Sequence, residues 1–415
     1  MLRSGRSAGN QDRGAAALAG GLGPALLLVF FASLSTGAVN NGVFFIAQES
    51  YGFGRTRNLL LGLLVGGVYV PAALAVGPGL RRLAAGSGAV TTRRALVGLM
   101  VVMAGLCVLP VAARTSATIW LFAALYIPLM GALWPIVESY ISGGRRGDRL
   151  RAAIGSFNLV WAVAVAAAAW AMAPLLDLGR PLTIFLGLGF VHLMCLAPIA
   201  GLHAEPPENA EDAREPHPPS YVGLLGCFRW LLALSYVLLS AINPLLPWRL
   251  DQLGLEIGWQ MPLVSTWMVS RVGMFFVLQR WGGWHGRWRT PAWASGLMVS
   301  GFLVVLLAGS TVSVMAGLAM FGAGLGAVYA ASLYYAMEVG SAKIDAGGKH
   351  EAIIGAGYGL GPLLGLGAVG LVGANADGSF APTLAGLSVA ASAVFVVLAV
   401  VSAWKARRQS RPVAR

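Results

Sequence analysis

Charge is what this chain has least of. Only 11% of its 415 residues are Asp, Glu, Lys or Arg, where a soluble globular domain carries about 25%. Acidic residues are the scarcer kind, 16 against 29 basic ones. Cysteine is also rare: Cys107, Cys195 and Cys227 each lie in an apolar run with no CxxC spacing. That excludes a disulfide scaffold and a thiolate metal site, and leaves them as small buried apolar residues. There is no HExxH, no GxSxG, no Walker loop and no long polar segment to hold a catalytic domain. Neither an enzyme nor a cofactor or metal is therefore expected, and any energy-requiring process must draw on an ion gradient.

What fills the chain instead is apolar. Hydrophobic residues make up 57% and Gly contributes 56 residues, the latter suited to helices that approach closely in lipid. Apolar runs of about 20 residues recur, each long enough to cross a hydrocarbon core about 30 Å thick. By length and flanking charge they predict twelve membrane helices over 24–47, 58–78, 95–113, 116–142, 151–174 and 181–201, then 221–246, 259–279, 291–309, 311–337, 350–373 and 381–404. Arg3, Arg6 and Arg13 precede a run that continues to about Ala47, too long for a signal peptide and read as the first membrane helix.

The net charge of +13 does not mark a nucleic-acid binder, because of where it lies. Arg81, Arg82, Arg93, Arg94, Arg145, Arg146, Arg149, Arg151, Arg280, Arg287 and Arg289 fall in loops on one side. Lys405, Arg407, Arg408, Arg411 and Arg415 of the tail join them. The opposite loops hold only Arg55, Arg57, Arg114, Arg180 and Arg249. The positive-inside rule then places both termini in the cytoplasm and the protein in the inner membrane, which requires an even number of crossings. Between the sixth and seventh runs lies AEPPENAEDAREPHPPS, 204–220, too polar and Pro-rich to pack and read as a cytoplasmic linker.

The chain also repeats itself. ESYISGGRRGDRLRAAIGSFN from Glu138 and EVGSAKIDAGGKHEAIIGAGY from Glu338 align at an offset of 200: Glu138 with Glu338, Gly147 with Gly347, Arg149 with Lys349, Ile154 with Ile354 and Gly155 with Gly355. Each closes one apolar run, crosses a charged Gly-rich loop and enters the next. Two related halves are expected, 1–203 and 221–415, joined by 204–220. Parallel halves of this kind mark a class of membrane transporters.

With those features the chain resembles the major facilitator superfamily of secondary transporters over nearly its whole length. Glu138-x6-Arg145 looks like the Glu/Arg pair that sugar-porter members carry at the end of helix 4, part of a cytoplasmic gate network. GPGLRRLAAGSGAVTTRR from Gly77 resembles the family's signature loop after helix 2, with Arg81 where the family has Asp. The matching second loop, QRWGGWHGRWR, also lacks the Asp, and Asp345 stands where the second Glu/Arg pair would have its Arg. GAGYGLGPLLGLG from Gly355 is similar to the family's packing helices, whereas NLVWAVAVAAAAWAMAP from Asn158 lacks the glycines of the antiporter signature. The resemblance implies an all-α polytopic protein, 12 transmembrane helices in two pseudo-symmetric six-helix bundles, working by alternating access around a midplane site.

Ionisable groups inside membrane helices are costly and so are functional candidates. Arg271 lies about the middle of the eighth run; it is either the counter-ion of an anionic solute or a structural Arg bonded to carbonyls or a gate Glu. Glu138 and Glu338 occupy matched positions and are proton-coupling candidates, or else gate residues held by Arg145 and neighbouring bases. His192 titrates in the useful range, with satisfied packing as its alternative. Arg229 can snorkel and is read as structural. Asn40, Asn41, Trp134, Asn158, Trp161, Asn243, Trp267, Tyr334 and Tyr335 are candidates to line a solute cavity with Arg271, or else packing and interfacial groups. Pro244 and Pro247 should loosen the seventh helix.

The function expected is secondary active transport of a small organic solute, with H+ as driving ion, by a monomer in the lipid bilayer. The alternative is a transporter-like membrane assembly or scaffold factor that moves nothing.

Overall fold

The computed structural model describes residues 8–87, 90–145, 147–207, 218–339, 344–374 and 376–409. Among these the secondary structure is helical throughout, with no strand. Most of the expected linker, together with Arg146 and Lys343, lies outside the described residues.

Twelve helices among the described residues are long and apolar enough to span a membrane. They are α1 (Gly21–Tyr51), α2 (Arg55–Leu83), α3 (Thr92–Ala112), α4 (Ser116–Ser142), α5 (Asp148–Asp177) and α6 (Thr183–Ala200). The second six are α7 (Ser220–Gln252), α8 (Ile257–Arg280), α9 (Arg289–Leu307), α10 (Thr311–Val339), α11 (Gly347–Val372) and α12 (Asp377–Ala406). Several run past the apolar stretches that predict them, because helical hydrogen bonding continues into polar surroundings where hydropathy falls. In α7 the helix tightens into a 3-10 turn at Asn243–Leu245, where Pro244 has no amide to donate. The outward faces are apolar, with Leu178, Phe190, Val312 and Leu371 all exposed, as suits helices bathed in lipid.

An even number of crossings returns the chain to the face it left, here the terminal face; the other is the far face. Packing between α2 and α11 and between α5 and α8 joins the first six helices to the last six. Bare glycine allows the closest of these approaches: a Cβ on Gly66 would stand 2.1 Å from the Gly359 amide nitrogen. At the far face Arg55 of α2 meets Asp377 of α12 at 2.6 Å. Its guanidinium also lies 4.5 Å from the centre of the Phe380 ring and 5.2 Å from that of Trp248. Gln48 of α1 donates to Asp251 at the end of α7. At the terminal face Glu205 accepts from the Thr92 amide at 3.0 Å, tying the chain after α6 to the start of α3.

Candidate functional site

Where these helices converge they leave a partly open cavity. Its wall includes Ser33, Thr36, Asn40 and Asn41 from α1, Trp134 from α4, Phe157 and Trp161 from α5, and Tyr236 and Asn243 from α7. Trp267 and Arg271 of α8, Tyr329 of α10, and Glu351 and Tyr358 of α11 complete it. Seven of the ten sequence-derived cavity residues therefore meet there: Asn40, Asn41, Trp134, Trp161, Asn243, Trp267 and Arg271.

Arg271 is set by the packing of α10 on α8. Gly322 and Gly326 bring the α10 backbone against α8 so closely that a Cβ on Gly322 would lie 2.0 Å from the Trp267 carbonyl oxygen. The guanidinium, only 2% exposed, sits among rings: 4.3 Å from the centroid of Trp161, 4.7 Å from Tyr329, 5.5 Å from Phe275 and 5.9 Å from Trp267. Cation–π attraction offsets part of the cost of burying it. Its hydrogen bonding is sparse: Nη2 donates to the Tyr236 hydroxyl at 3.4 Å, and Nε has no acceptor. No ion pair with Arg271 occurs among the described residues. Trp267, one turn earlier on α8, likewise has an indole N–H without an acceptor. Both structural partners considered for Arg271 from sequence, backbone carbonyls and a gate Glu, are thus replaced by an aromatic cage.

Towards the far face the cavity changes character. Asn41 Nδ2 donates to the Gly37 carbonyl at 2.9 Å, and Asn243 Nδ2 donates to Asn41 Oδ1 at 3.1 Å. The Oδ1 atoms of Asn243 and Asn40 are buried and receive no hydrogen bond.

Towards the terminal face Glu138 of α4 meets Glu351 and His350 of α11; one ligand-type atom of each lies within 4.8 Å of the others. All three residues are buried. Tyr69 donates its hydroxyl to Glu351, and neither Glu138 oxygen nor His350 Nε2 has a hydrogen-bond partner among the described residues. Gly347 keeps the site open, since a Cβ there would be 2.8 Å from Glu138 Oε2. Two carboxyls and an imidazole in apolar surroundings are groups able to take up a proton or a small cation.

The remaining sequence candidates lie elsewhere. Asn158 is absent from the cavity wall and accepts from the Trp161 indole at 3.4 Å. Tyr334 and Tyr335 pack with Tyr221 and Trp284 at the terminal face, where the Tyr335 hydroxyl accepts from the Gly286 amide at 2.9 Å. In the same group His285 rests on Trp284, and its burial holds the imidazole below the ordinary histidine range. Glu338 faces Arg151 of α5 at 4.0 Å. Arg145 Nη1 donates to the carbonyls of Tyr140 and Ile141 at 3.0 and 2.9 Å, capping the end of α4. His192 is enclosed in the first six helices, with Nε2 2.7 Å from the Tyr126 hydroxyl and Nδ1 3.4 Å from Ser35 Oγ.

Glu351 and His350 are the residues that sequence reasoning misses. Their signal was present, as ionisable groups leading into the eleventh apolar run. The internal repeat drew attention to Glu338 instead. At the same offset of 200, Glu351 falls opposite Arg151. The Glu138–Glu351 contact is therefore the counterpart of the Glu338–Arg151 contact, with one base exchanged for an acid.

No protein-family model and no curated protein matches the chain in sequence. Solved structures do match its fold. A bacterial homolog of the human lysosomal transporter Spinster, inward-facing and unoccupied, superimposes with a TM-score of 0.64 at 14% identity, over 94% of this chain and 97% of that one. The same homolog, inward-facing and occupied, gives 0.59 at 15% identity over 95% and 97%. The human organic anion transporter MFSD10 (TETRAN) gives 0.59 at 14% identity over 91% and 99%. The chain is a multi-pass membrane protein with the twelve-helix major facilitator fold.

Proposed function

We propose that the chain is a secondary transporter that carries a small organic anion across the membrane by alternating access. One observation carries the reading: Arg271, nearly fully buried in the wall of a central cavity, has no carboxylate partner among the described residues. A membrane protein does not keep a central Arg without use. An anionic group entering the cavity would receive charge-assisted hydrogen bonds from Arg271 and the free indole N–H of Trp267, while the aromatic wall takes its apolar body. MFSD10, with the same fold, is itself an organic anion transporter. A scaffold that moves nothing would have no need of this polar-lined space.

On this reading the halves 1–203 and 221–415 rock about the cavity as a monomer, with 204–220 as their cytoplasmic linker and both termini cytoplasmic in the inner membrane. The Arg55–Asp377 and Gln48–Asp251 contacts would close the far, outer face. The driving ion is H+, carried by the Glu138–Glu351 pair. Two carboxylates at this separation repel by about 3.5 kcal/mol at an effective dielectric near 20, and a shared proton removes that repulsion.

Purified protein in liposomes, given an inward acid-to-alkaline pH difference and a panel of radiolabelled aromatic carboxylates, tests the proposal. Accumulation of at least one acid above equilibrium is expected, abolished by a protonophore and by Arg271→Gln. Acid binding that is unaffected by Arg271→Gln refutes the anion reading. Accumulation that survives the Glu138→Gln, Glu351→Gln double variant refutes the proton site.

A further inference from the structure

The buried polar atoms of the cavity that lack partners are not scattered. Those of α8, Arg271 Nε and Trp267 Nε1, are donors. On α1 and α7, Asn40 Oδ1 and Asn243 Oδ1 are acceptors, while Ser33 Oγ, seven residues before Asn40 on α1, is a hydroxyl that can donate or accept. The orientation of the Asn243 amide follows from its neighbours. The Gly37 carbonyl can only accept, so Asn41 must turn Nδ2 towards it and offer Oδ1 to Asn243. Asn243 answers with Nδ2, and its own oxygen is left over. A buried acceptor without a donor costs about 1–3 kcal/mol, so a bound solute is favoured that donates to the Asn oxygens and accepts from Arg271 and Trp267.

The two ends are also separated. Arg271 reaches the hydroxyl of Tyr236 on α7, and Asn243 lies seven residues further along the same helix. Two helical turns at 1.5 Å per residue place the ends about 10 Å apart. The cavity wall is aromatic, with Trp161 and Trp134 among its residues.

We propose that the solute is bipolar: an anionic group meets Arg271 and Trp267, and a hydroxyl or amine about 8–10 Å away donates to Asn243 and Asn40, across an apolar or aromatic body. This rests on the anion reading above and adds to it a specificity determinant at the far end of the cavity. Asn243 and Asn40 discriminate by rejection as much as by attraction. A solute without the donor leaves their oxygens buried and unpaired, which is how a polar site excludes an analogue lacking one group.

The test uses four probes of matched shape: 3-(4-hydroxyphenyl)propanoate, its methyl ether, 3-phenylpropanoate and tyramine. Binding to the full-length protein in detergent is read by quenching of tryptophan fluorescence, since Trp134, Trp161 and Trp267 line the cavity. The hydroxy acid is expected to bind about tenfold more tightly than its ether or the parent acid. Asn243→Ala and, separately, Asn40→Ala should bring that ratio near one, by weakening the hydroxy acid and tightening the parent acid, whose binding no longer leaves an oxygen unpaired. Asn40 makes no side-chain hydrogen bond among the described residues, so its variant keeps the test sound should Asn243→Ala fail to fold. Equal binding of the hydroxy acid and its ether, with Arg271→Gln weakening both, overturns the bipolar solute and leaves the anion reading standing. Tyramine binding as tightly as the hydroxy acid, or no acid binding at all, overturns both. A hydroxyl preference that persists in both Asn variants overturns the assignment to these residues.

Discussion

Replacing Arg271 by Met separates a functional cation from a structural one, because the two roles predict opposite signs for stability. A central Arg costs about 2.5–3.5 kcal/mol on insertion scales. The two nearest rings, Trp161 at 4.3 Å and Tyr329 at 4.7 Å, return up to about 2 kcal/mol each when desolvated. The bond to Tyr236 is long, and no carboxylate adds to it among the described residues. On those figures the unliganded site roughly breaks even. Met fills similar length with no charge, so unliganded Arg271→Met should unfold at the same temperature as the parent protein or higher, as happens when function rather than stability keeps a group in place. The same change removes charge-assisted hydrogen bonds worth about 1.5–3 kcal/mol to a bound anion, so affinity for aromatic carboxylates should fall roughly 10- to 150-fold. Thermal unfolding in detergent, with and without 3-phenylpropanoate, reads both quantities in one experiment. A variant destabilised by more than about 2 kcal/mol without ligand would show that the cage is structural cement. A variant that keeps its ligand-induced stabilisation would refute the role of the charge.

Other perturbations follow from the same geometry. Glu351→Gln should leave carboxylate binding within a few-fold of the parent at neutral pH but flatten the pH dependence of uptake into liposomes; uptake that tracks external pH as before would exonerate the pair. Arg55→Ala removes an ion pair whose Asp377 partner is 61% exposed, together with two ring contacts, so about 1 kcal/mol is a fair loss. That shifts a two-state equilibrium about fivefold towards an open far face, which spin labels flanking Arg55 and Asp377 would report as a new longer distance. His192→Phe leaves the Tyr126 hydroxyl buried without its partner and should cost about 1–3 kcal/mol of stability. Tyr126→Phe in the same molecule should recover much of that cost, and ligand affinity should not move in either variant.

The fold was legible because its determinants are local and additive. Twenty apolar residues bounded by Arg predict a crossing whatever lies elsewhere, and basic residues such as Arg81, Arg93 and Arg145 cluster on alternate loops without tertiary context. The cavity was legible in part, since Arg271 and the Asn residues are anomalies inside apolar runs. What could not be read was orientation. Tyr334 and Tyr335 are as aromatic and as buried as Tyr236 and Tyr329, yet the latter face the cavity while the former stack on Trp284 and Tyr221. A rotation of about 100° per residue decides which, and in α10 no polar stripe records it, since buried residues occupy every face of its second half. The repeat misled in a specific way. It matched Glu138 with Glu338 by position, but contacts are made between copies, and the partner of Glu138 is the residue opposite Arg151.

That exchange bears on how the two faces can differ in what closes them. At the terminal face α5 meets α10 through Arg151 and Glu338, opposite charges that attract without help, at 4.0 Å and partly solvated. The equivalent junction of α4 and α11 brings Glu138 and Glu351 together, buried, with only Tyr69 donating to them among the described residues. As two anions they would push α4 from α11; with one proton between them they can hydrogen-bond. On the transport reading, closure there would depend on a proton supplied from solution, while closure at the Arg151 junction would not. Glu351 also lines the cavity that holds Arg271, so on the transport reading the proton and the anion would enter one low-dielectric space as opposite charges, each offsetting the other's burial. On the transport reading, coupling needs no relay: a solute anion on Arg271 favours the proton on Glu351, and the proton lets α4 and α11 close beneath both. Exchanging the acid back for a base gives the decisive variant. Glu351→Arg would pair with Glu138 as Arg151 does with Glu338, hold the terminal face shut irrespective of pH, and leave a protein that binds 3-phenylpropanoate at the far face but no longer accumulates it. Proton-driven uptake persisting in that variant would show that the junction does not govern closure.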